Sequence, residues 1–239
     1  MKKVIRYLAV TALAAATISP ALAASEVFLL GTLYKRHEQV PVYNVDTLVR
    51  IVEKVAPDVL VLDVTPEELN KRTVFPGKVE YTNGIFPLMD KRKFITYPAE
   101  PAEPMFSEIV EAVKSRMQQF DKEQPALSAS FKRTEKNMYA VLGKHWTRAG
   151  HVQDEVTGEM IDATARLQAE MLGPVMKDAN ERWDRHTADT VKRAVREHPG
   201  KRVLVLTGIR NRPLVQRHLQ VDSAITLVDM PTWLTQAGF

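Results

Sequence analysis

Apolar residues in this chain fall into short unbroken runs, set between longer stretches in which they recur with helical spacing. The runs at residues 27–30, 59–64, 203–206 and 224–228 are built mainly of valine, leucine and isoleucine, so both faces are largely apolar, as strands of a parallel sheet require. Between the first two runs, Val45, Leu48, Val49, Val52 and Val55 follow the i, i+3, i+4, i+7 spacing of one helix face. Asn44 suits the cap of that helix and Pro57 ends it. Strand, helix and strand within about forty residues make a βαβ unit, for which a right-handed crossover is the rule. A second helix start follows at Thr65-Pro66, with threonine as cap and proline in the first turn.

The pattern then changes. Residues 74–104 hold five prolines and two glycines and predict an irregular excursion, with residues 93–97 as a third strand. Helix resumes at Pro104, where Phe106, Ile109, Val110, Val113, Met117 and Phe120 share a face expected to be core. Residues 126–142 and 154–198 are also helical in pattern, with a break at Gly173-Pro174. A last helix is expected over 213–219. The fold class is therefore α/β: a central, mostly parallel sheet with a helical insertion, at about residues 104–198, between N- and C-terminal βαβ halves. One α/β domain is expected over 24–239.

The first 23 residues stand apart. Lys2, Lys3 and Arg6 precede a short apolar run, Pro20 and Ala21-Leu22-Ala23, the layout of a secretory signal peptide. Cleavage after Ala23 would leave a periplasmic or secreted protein with no membrane span. The whole chain carries 33 basic and 29 acidic residues, a net of +4. Without the three basic residues of the leader the count is 30 against 29, a net of +1. That balance offers no electrostatic reason to expect nucleic acid as a partner. There is no cysteine, so disulfides, a thiol nucleophile and thiolate metal sites are all excluded.

Two strand ends draw attention as candidate chemistry. The first run breaks at Gly31-Thr32 and opens into the polar turn Leu33-Tyr34-Lys35-Arg36-His37; the third ends at Thr207-Gly208, followed by Ile209-Arg210-Asn211-Arg212. Ligands of open α/β sheets gather at the carboxyl ends of strands, so both junctions are expected to face one pocket. Backbone amides at 207–212, with Arg210 and Arg212 beside them, suit a phosphate or carboxylate. The competing expectation is that Gly208 makes the turn and Arg210 pairs with Asp63. On the helix over 174–198, Glu181 and Arg182 either form ordinary i, i+4 surface pairs with Arg185 and Asp178 or face the cleft. His37 is either a loop histidine or a metal ligand. His145 and His151, six apart, and His218 have weaker claims.

The segments Leu30-Gly-Thr-Leu-Tyr34, Val61-Leu-Asp-Val-Thr-Pro66, Asn180-Glu-Arg-Trp183 and Leu206-Thr-Gly-Ile-Arg-Asn211 together resemble the exported TraB/GumN/TIKI group, related to ChaN and erythromycin-esterase-like proteins. The resemblance covers most of the chain after the leader. It implies metal-assisted hydrolysis of peptide or ester bonds, with Asp63 or Glu181 as general base and Arg182 as electrostatic stabiliser. The group's two motif histidines fall on Tyr34 and Asn211, and neither a phenol nor an amide is a good ligand for a transition metal at neutral pH. Tyr34 would then donate a hydrogen bond in the cleft, with Gly31, Thr32, Gly208, Arg210 and Asn211 as ligand-binding positions. A divalent metal is the candidate cofactor, with His37 its proposed ligand. Two functions follow: a divergent hydrolase with an altered metal site, or a non-catalytic periplasmic binding protein for a small anionic ligand or a partner protein; the expected partner is a small molecule or peptide. Sequence sets no oligomeric state.

Overall fold

The computed structural model describes residues 24–239; the expected signal peptide lies outside them. Five strands form one entirely parallel sheet: β1 (Ser25–Thr32), β2 (Val59–Leu62), β3 (Ile95–Pro98), β4 (Val203–Gly208) and β5 (Ile225–Leu227), in the order β3-β2-β4-β1-β5. β4, from the far end of the chain, lies between β1 and β2 and pairs with both. Gly31 is opposite Thr207 and Thr32 opposite Gly208, so the two glycine-bearing junctions stand side by side. β2 ends one residue before Asp63, with Leu62 opposite Leu206.

Alternation along the buried strands divides the core. Phe28, Leu30, Leu60, Leu62, Leu204 and Leu206 face one side, and Val27, Leu29, Val59, Val61, Val203 and Val205 face the other. The first side is covered by helix α1 (Val45–Val55), which buries Leu48, Ile51, Val52 and Val55 against it. Asn44 caps α1 by accepting from the Thr47 amide at 2.8 Å. A short helix α2 (Pro66–Lys71) follows β2, closed by a capping box between Thr65 and Glu68.

Residues 74–104 are more ordered than their prolines and glycines suggest. They contain a π-helical turn, Tyr81–Ile85, continuing into α3 (Phe86–Lys91), and then β3. The π turn buries Tyr81, Gly84 and Ile85, and a Cβ on Gly84 would stand 2.7 Å from Val45 Cγ1. Burial against α1 therefore overrides the weak local propensity.

The helical insert comprises α4 (Met105–Glu123), α5 (Pro125–His145), α6 (Ala149–Val152), α7 (Glu155–Leu172) and α8 (Pro174–Glu197). The break expected at Gly173-Pro174 is where α7 stops and α8 starts, with Gly173 at φ +75°. α8 and α9 (Arg212–Gln220) cover the second sheet face through Ala188, Val191, Ala194, Val215 and Leu219. α10 (Met230–Ala237) completes the chain. The α4 stripe expected to be core is only partly so: Ile109 and Phe120 are buried, whereas Val110 and Met117 are exposed beside α8. No helix among the described residues is long and apolar enough to cross a membrane.

β5 pairs with β1 only as far as Val27, leaving the later half of that edge without a strand. Buried Gln153 takes its place at Gly31. Its Oε1 accepts from the Gly31 amide at 2.8 Å and its Nε2 donates to the Gly31 carbonyl at 3.0 Å. A side-chain amide thus copies the ladder bonds of a missing neighbour. Gln153→Leu, close in volume, is expected to lower unfolding free energy by about 1–3 kcal/mol in urea titrations, because the Gly31 amide would stay buried without an acceptor.

Candidate functional site

The ends of β1, β2 and β4 meet at Asp63. Its Oδ2 accepts from the Tyr34 hydroxyl at 2.5 Å and from the Gly208 amide at 3.1 Å. Its own amide donates to the Tyr81 hydroxyl at 2.7 Å, and its carbonyl accepts from Lys78 Nζ at 2.7 Å. Lys78 also holds Glu100 Oε1 at 2.5 Å. Asp63, Lys78, Glu80, Glu100, Thr32 and Tyr81 are all buried.

Local geometry makes this convergence possible. Tyr34 takes φ +52°, the left-handed region that costs a non-glycine residue about 1–2 kcal/mol. From there its ring turns back over the end of β4. Gly208 is required by that approach, since a Cβ there would stand 2.2 Å from Tyr34 Oη. Tyr34 and Gly208 therefore fit each other, and both fit Asp63.

The cluster holds more acid than base. Burial works against the charge on Lys78, but Asp63 and Glu100 outweigh it and hold its pKa above the ordinary lysine value. Burial, reinforced by the Asp63 charge, pushes Glu100 up. Burial also raises Glu80 to about 7. The Thr32 hydroxyl offers Glu80 some relief. Yet the Glu80 oxygens and Thr32 Oγ1 make no hydrogen bond of good geometry among the described residues. Burial, then the Asp63 charge, raises Tyr34 well above the ordinary phenol value, so its hydroxyl stays protonated and donates.

The sequence-derived candidates separate into those that join this centre and those that do not. Thr32, Tyr34, Asp63 and Gly208 join it. Gly31 adjoins it, but its amide and carbonyl are engaged by Gln153, and the carbonyl also accepts from Tyr43 Oη at 3.1 Å. Asn211 lies to one side and donates to Asp184 Oδ1 at 2.8 Å. Glu181 and Arg182 do not reach the centre. Glu181 is at the surface with Arg185, and Arg182 pairs with Glu108 at 2.9 Å and Asp178 at 3.8 Å. Those surface pairs match the plainer of the two expectations for this helix. The α8 acid turned inward is Asp184, which is buried and raised to about 7, first by burial and then by nearby negative charge. Arg210 does not pair with Asp63; its guanidinium reaches Glu135 Oε1 at 2.6 Å and Gln168 Oε1 at 2.5 Å. The arginines at 182, 210 and 212 each bond different partners and share none.

His37 corrects the metal expectation most directly. It is buried, its Nε2 accepts from the Leu33 amide at 3.0 Å, and its Nδ1 lies 2.6 Å from the Tyr43 carbonyl. Both ring nitrogens are spent on the backbone, and burial lowers the pKa to about 4. A neutral imidazole held this way staples the turn and has no lone pair left for a metal. With Tyr34 on Asp63 and Asn211 on Asp184, the residues in the motif positions do not fit a metal centre. Among the described residues no three His, Asp or Glu side chains are grouped to hold one.

Sequence reasoning missed Lys78, Glu80, Tyr81, Glu100, Gln153 and Asp184. The first four lie in the Pro- and Gly-bearing segment, where no periodicity marked them as interior. Compared with family models, with curated proteins and with solved structures, the chain matches none.

The raised Glu80 has a measurable consequence. Its folded value of about 7 exceeds the ordinary 4.5, so its contribution to stability is fully present below pH 4.5 and is lost as pH rises to about 7. Glu80→Gln removes that loss. The melting temperature of Glu80→Gln minus that of wild type is expected to grow between pH 5 and 8; a difference independent of pH would rule out a protonated Glu80.

Proposed function

We propose that this chain is an exported, non-catalytic binding protein of the TraB/GumN-like type, which takes a small molecule or peptide in the periplasm or outside the cell. The observation that carries this reading is the Tyr34 hydroxyl on Asp63, within a buried network that also includes the Gly208 amide and Lys78. One carboxylate oxygen, the amide and the carbonyl of Asp63 are all engaged by the protein. In this reading the strand-end centre holds the sheet together, and ligands use clefts around it.

Support for clefts comes from two neighbouring spaces. One, of about 530 Å³, lies between α4 and α8 and is lined by Val113, Met117, Trp183 and Asn211. The other, of about 570 Å³, lies between α7 and α9. Both volumes suit a small ligand.

One observation favours a second reading. Glu80 and Asp184 are raised to about 7, the range in which a carboxyl works as an acid or base near neutrality. A metal-independent hydrolase acting through this cluster is the competing function.

Assays of the purified mature protein on peptide and ester substrates, beside Asp63→Asn, distinguish the two, and metal analysis tests separately for a metal-dependent site. The binding reading expects sub-stoichiometric metal and no hydrolysis that depends on Asp63. One bound divalent ion per chain, or turnover abolished by Asp63→Asn, would overturn it.

A further inference from the structure

The cavity of about 570 Å³ between α7 and α9 contains a buried cation that forms no ion pair among the described residues. Arg212 opens α9 and forms part of the cavity wall, yet the residue is only 7% exposed. Its stem passes over Gly31, where a Cβ would stand 3.3 Å from Arg212 Cδ and 2.4 Å from Ile209 Cδ1. Glycine at 31 therefore keeps open the channel that the stem occupies. The head of the side chain lies by Gly158 of α7, where a Cβ would be 3.5 Å from Nη2.

Among the described residues the Arg212 guanidinium makes one hydrogen bond, a long one of 3.4 Å from Nη2 to the Asp154 carbonyl. Its buried Nε has no partner, and burial lowers its pKa, which the charges of Asp154 and Asp229, neither in ion-pair contact, offset only in part. A guanidinium that has lost its hydration needs a replacement, and its planar fork matches a carboxylate. The cavity thus holds an unmet demand for an anion.

The same cavity is also lined by acids. Asp162 is engaged by Arg166 at 3.2 Å and Arg217 at 3.1 Å, and Asp229 caps α10 through the Thr232 amide at 3.2 Å. Glu155 and Glu159 differ: they stand one turn apart on α7, exposed at the cavity, and neither forms an ion pair among the described residues. A purely anionic ligand would meet these two carboxylates. A purely cationic one would leave Arg212 unanswered. Leu29, Leu227 and Met230 supply an apolar surface alongside.

We infer that this cavity binds a small zwitterion, a free amino acid or short peptide, whose carboxylate docks on Arg212 and whose ammonium faces Glu155 and Glu159. The inference deepens the binding reading above and rests on it. The strand-end centre at Asp63 takes no part.

Calorimetric titration of the mature protein with alanine, Ala-Ala, N-acetyl-Ala-Ala, Ala-Ala-amide and inorganic phosphate tests it. Alanine or Ala-Ala is expected to bind, the two showing whether a free amino acid or a peptide is the ligand. Removing either terminal charge is expected to weaken binding by about tenfold or more, the worth of one charge-assisted hydrogen bond. Arg212→Met is expected to abolish binding while raising the melting temperature of the free protein, because it removes a buried unpaired charge. Glu159→Gln, at the exposed rim, is expected to weaken binding without changing the melting temperature. No binding of either zwitterion, or binding unchanged in Arg212→Met, overturns the inference. Phosphate binding more tightly than both zwitterions also overturns the inference, and it leaves the binding reading standing. Hydrolysis dependent on Asp63 would instead remove the reading beneath it.

Discussion

Three parallel strands end on one carboxylate. Asp63 follows β2, receives the Gly208 amide from β4, and receives the Tyr34 hydroxyl from the turn after β1. Ladder hydrogen bonds hold the strands along their length, but at their carboxyl ends the ladder stops and backbone groups face inward. Without a fixed acceptor there, the Gly208 amide would be buried unpaired, at a cost of about 1–3 kcal/mol. Asp63 supplies that acceptor and recruits a tyrosine to share it. The left-handed Tyr34 and the side-chain-free Gly208 are both consequences of this arrangement.

Burying an anion requires compensation, and Lys78 supplies it from the segment between α2 and the π turn. Lys78 itself is ion-paired with buried Glu100, and removing one partner of such a pair costs about 3–5 kcal/mol, whereas the intact pair contributes little net stability. The network therefore specifies geometry more than it stabilises. Its acid excess is relieved by protonation of carboxyls such as Glu80, which ties part of the stability to pH. Because most of the Asp63 positions are engaged by the protein, the ligand in the binding reading sits in the clefts beside the network rather than at its centre. At the Arg212 cavity it is a buried cation that forms no ion pair among the described residues.

Much of the architecture was legible in the chain, because apolar runs on both faces mark parallel strands and Asn44, Thr65-Pro66 and Gly173-Pro174 mark helix ends. The juxtaposition of Gly31 and Gly208 was legible for the same reason, since both follow such runs. The site was legible only where it lies at strand ends, at Thr32, Tyr34, Asp63 and Gly208. Elsewhere the phase of a helix decided matters that composition does not. Glu181 and Asp184 are three residues apart, yet one is solvated and the other buried. A charge-rich stretch cannot reveal which acid turns inward. Lys78, Glu80 and Glu100 were hidden because their burial comes from tertiary packing, the first two beside the π turn and Glu100 where the chain after β3 bonds the end of β2, which leaves no periodic signature. His37 was misplaced because its partners are backbone groups, which no side-chain motif records.

The central claim is that the Tyr34 hydroxyl and the Asp63 carboxylate are directly bonded and lock the strand ends. A double-mutant cycle of Tyr34→Phe and Asp63→Asn, measured by urea unfolding, tests it most directly. The expected coupling energy is about 1.5–3 kcal/mol, that of a buried hydrogen bond to a charged acceptor. Additive effects of the two substitutions would show that the two groups do not meet in the folded protein.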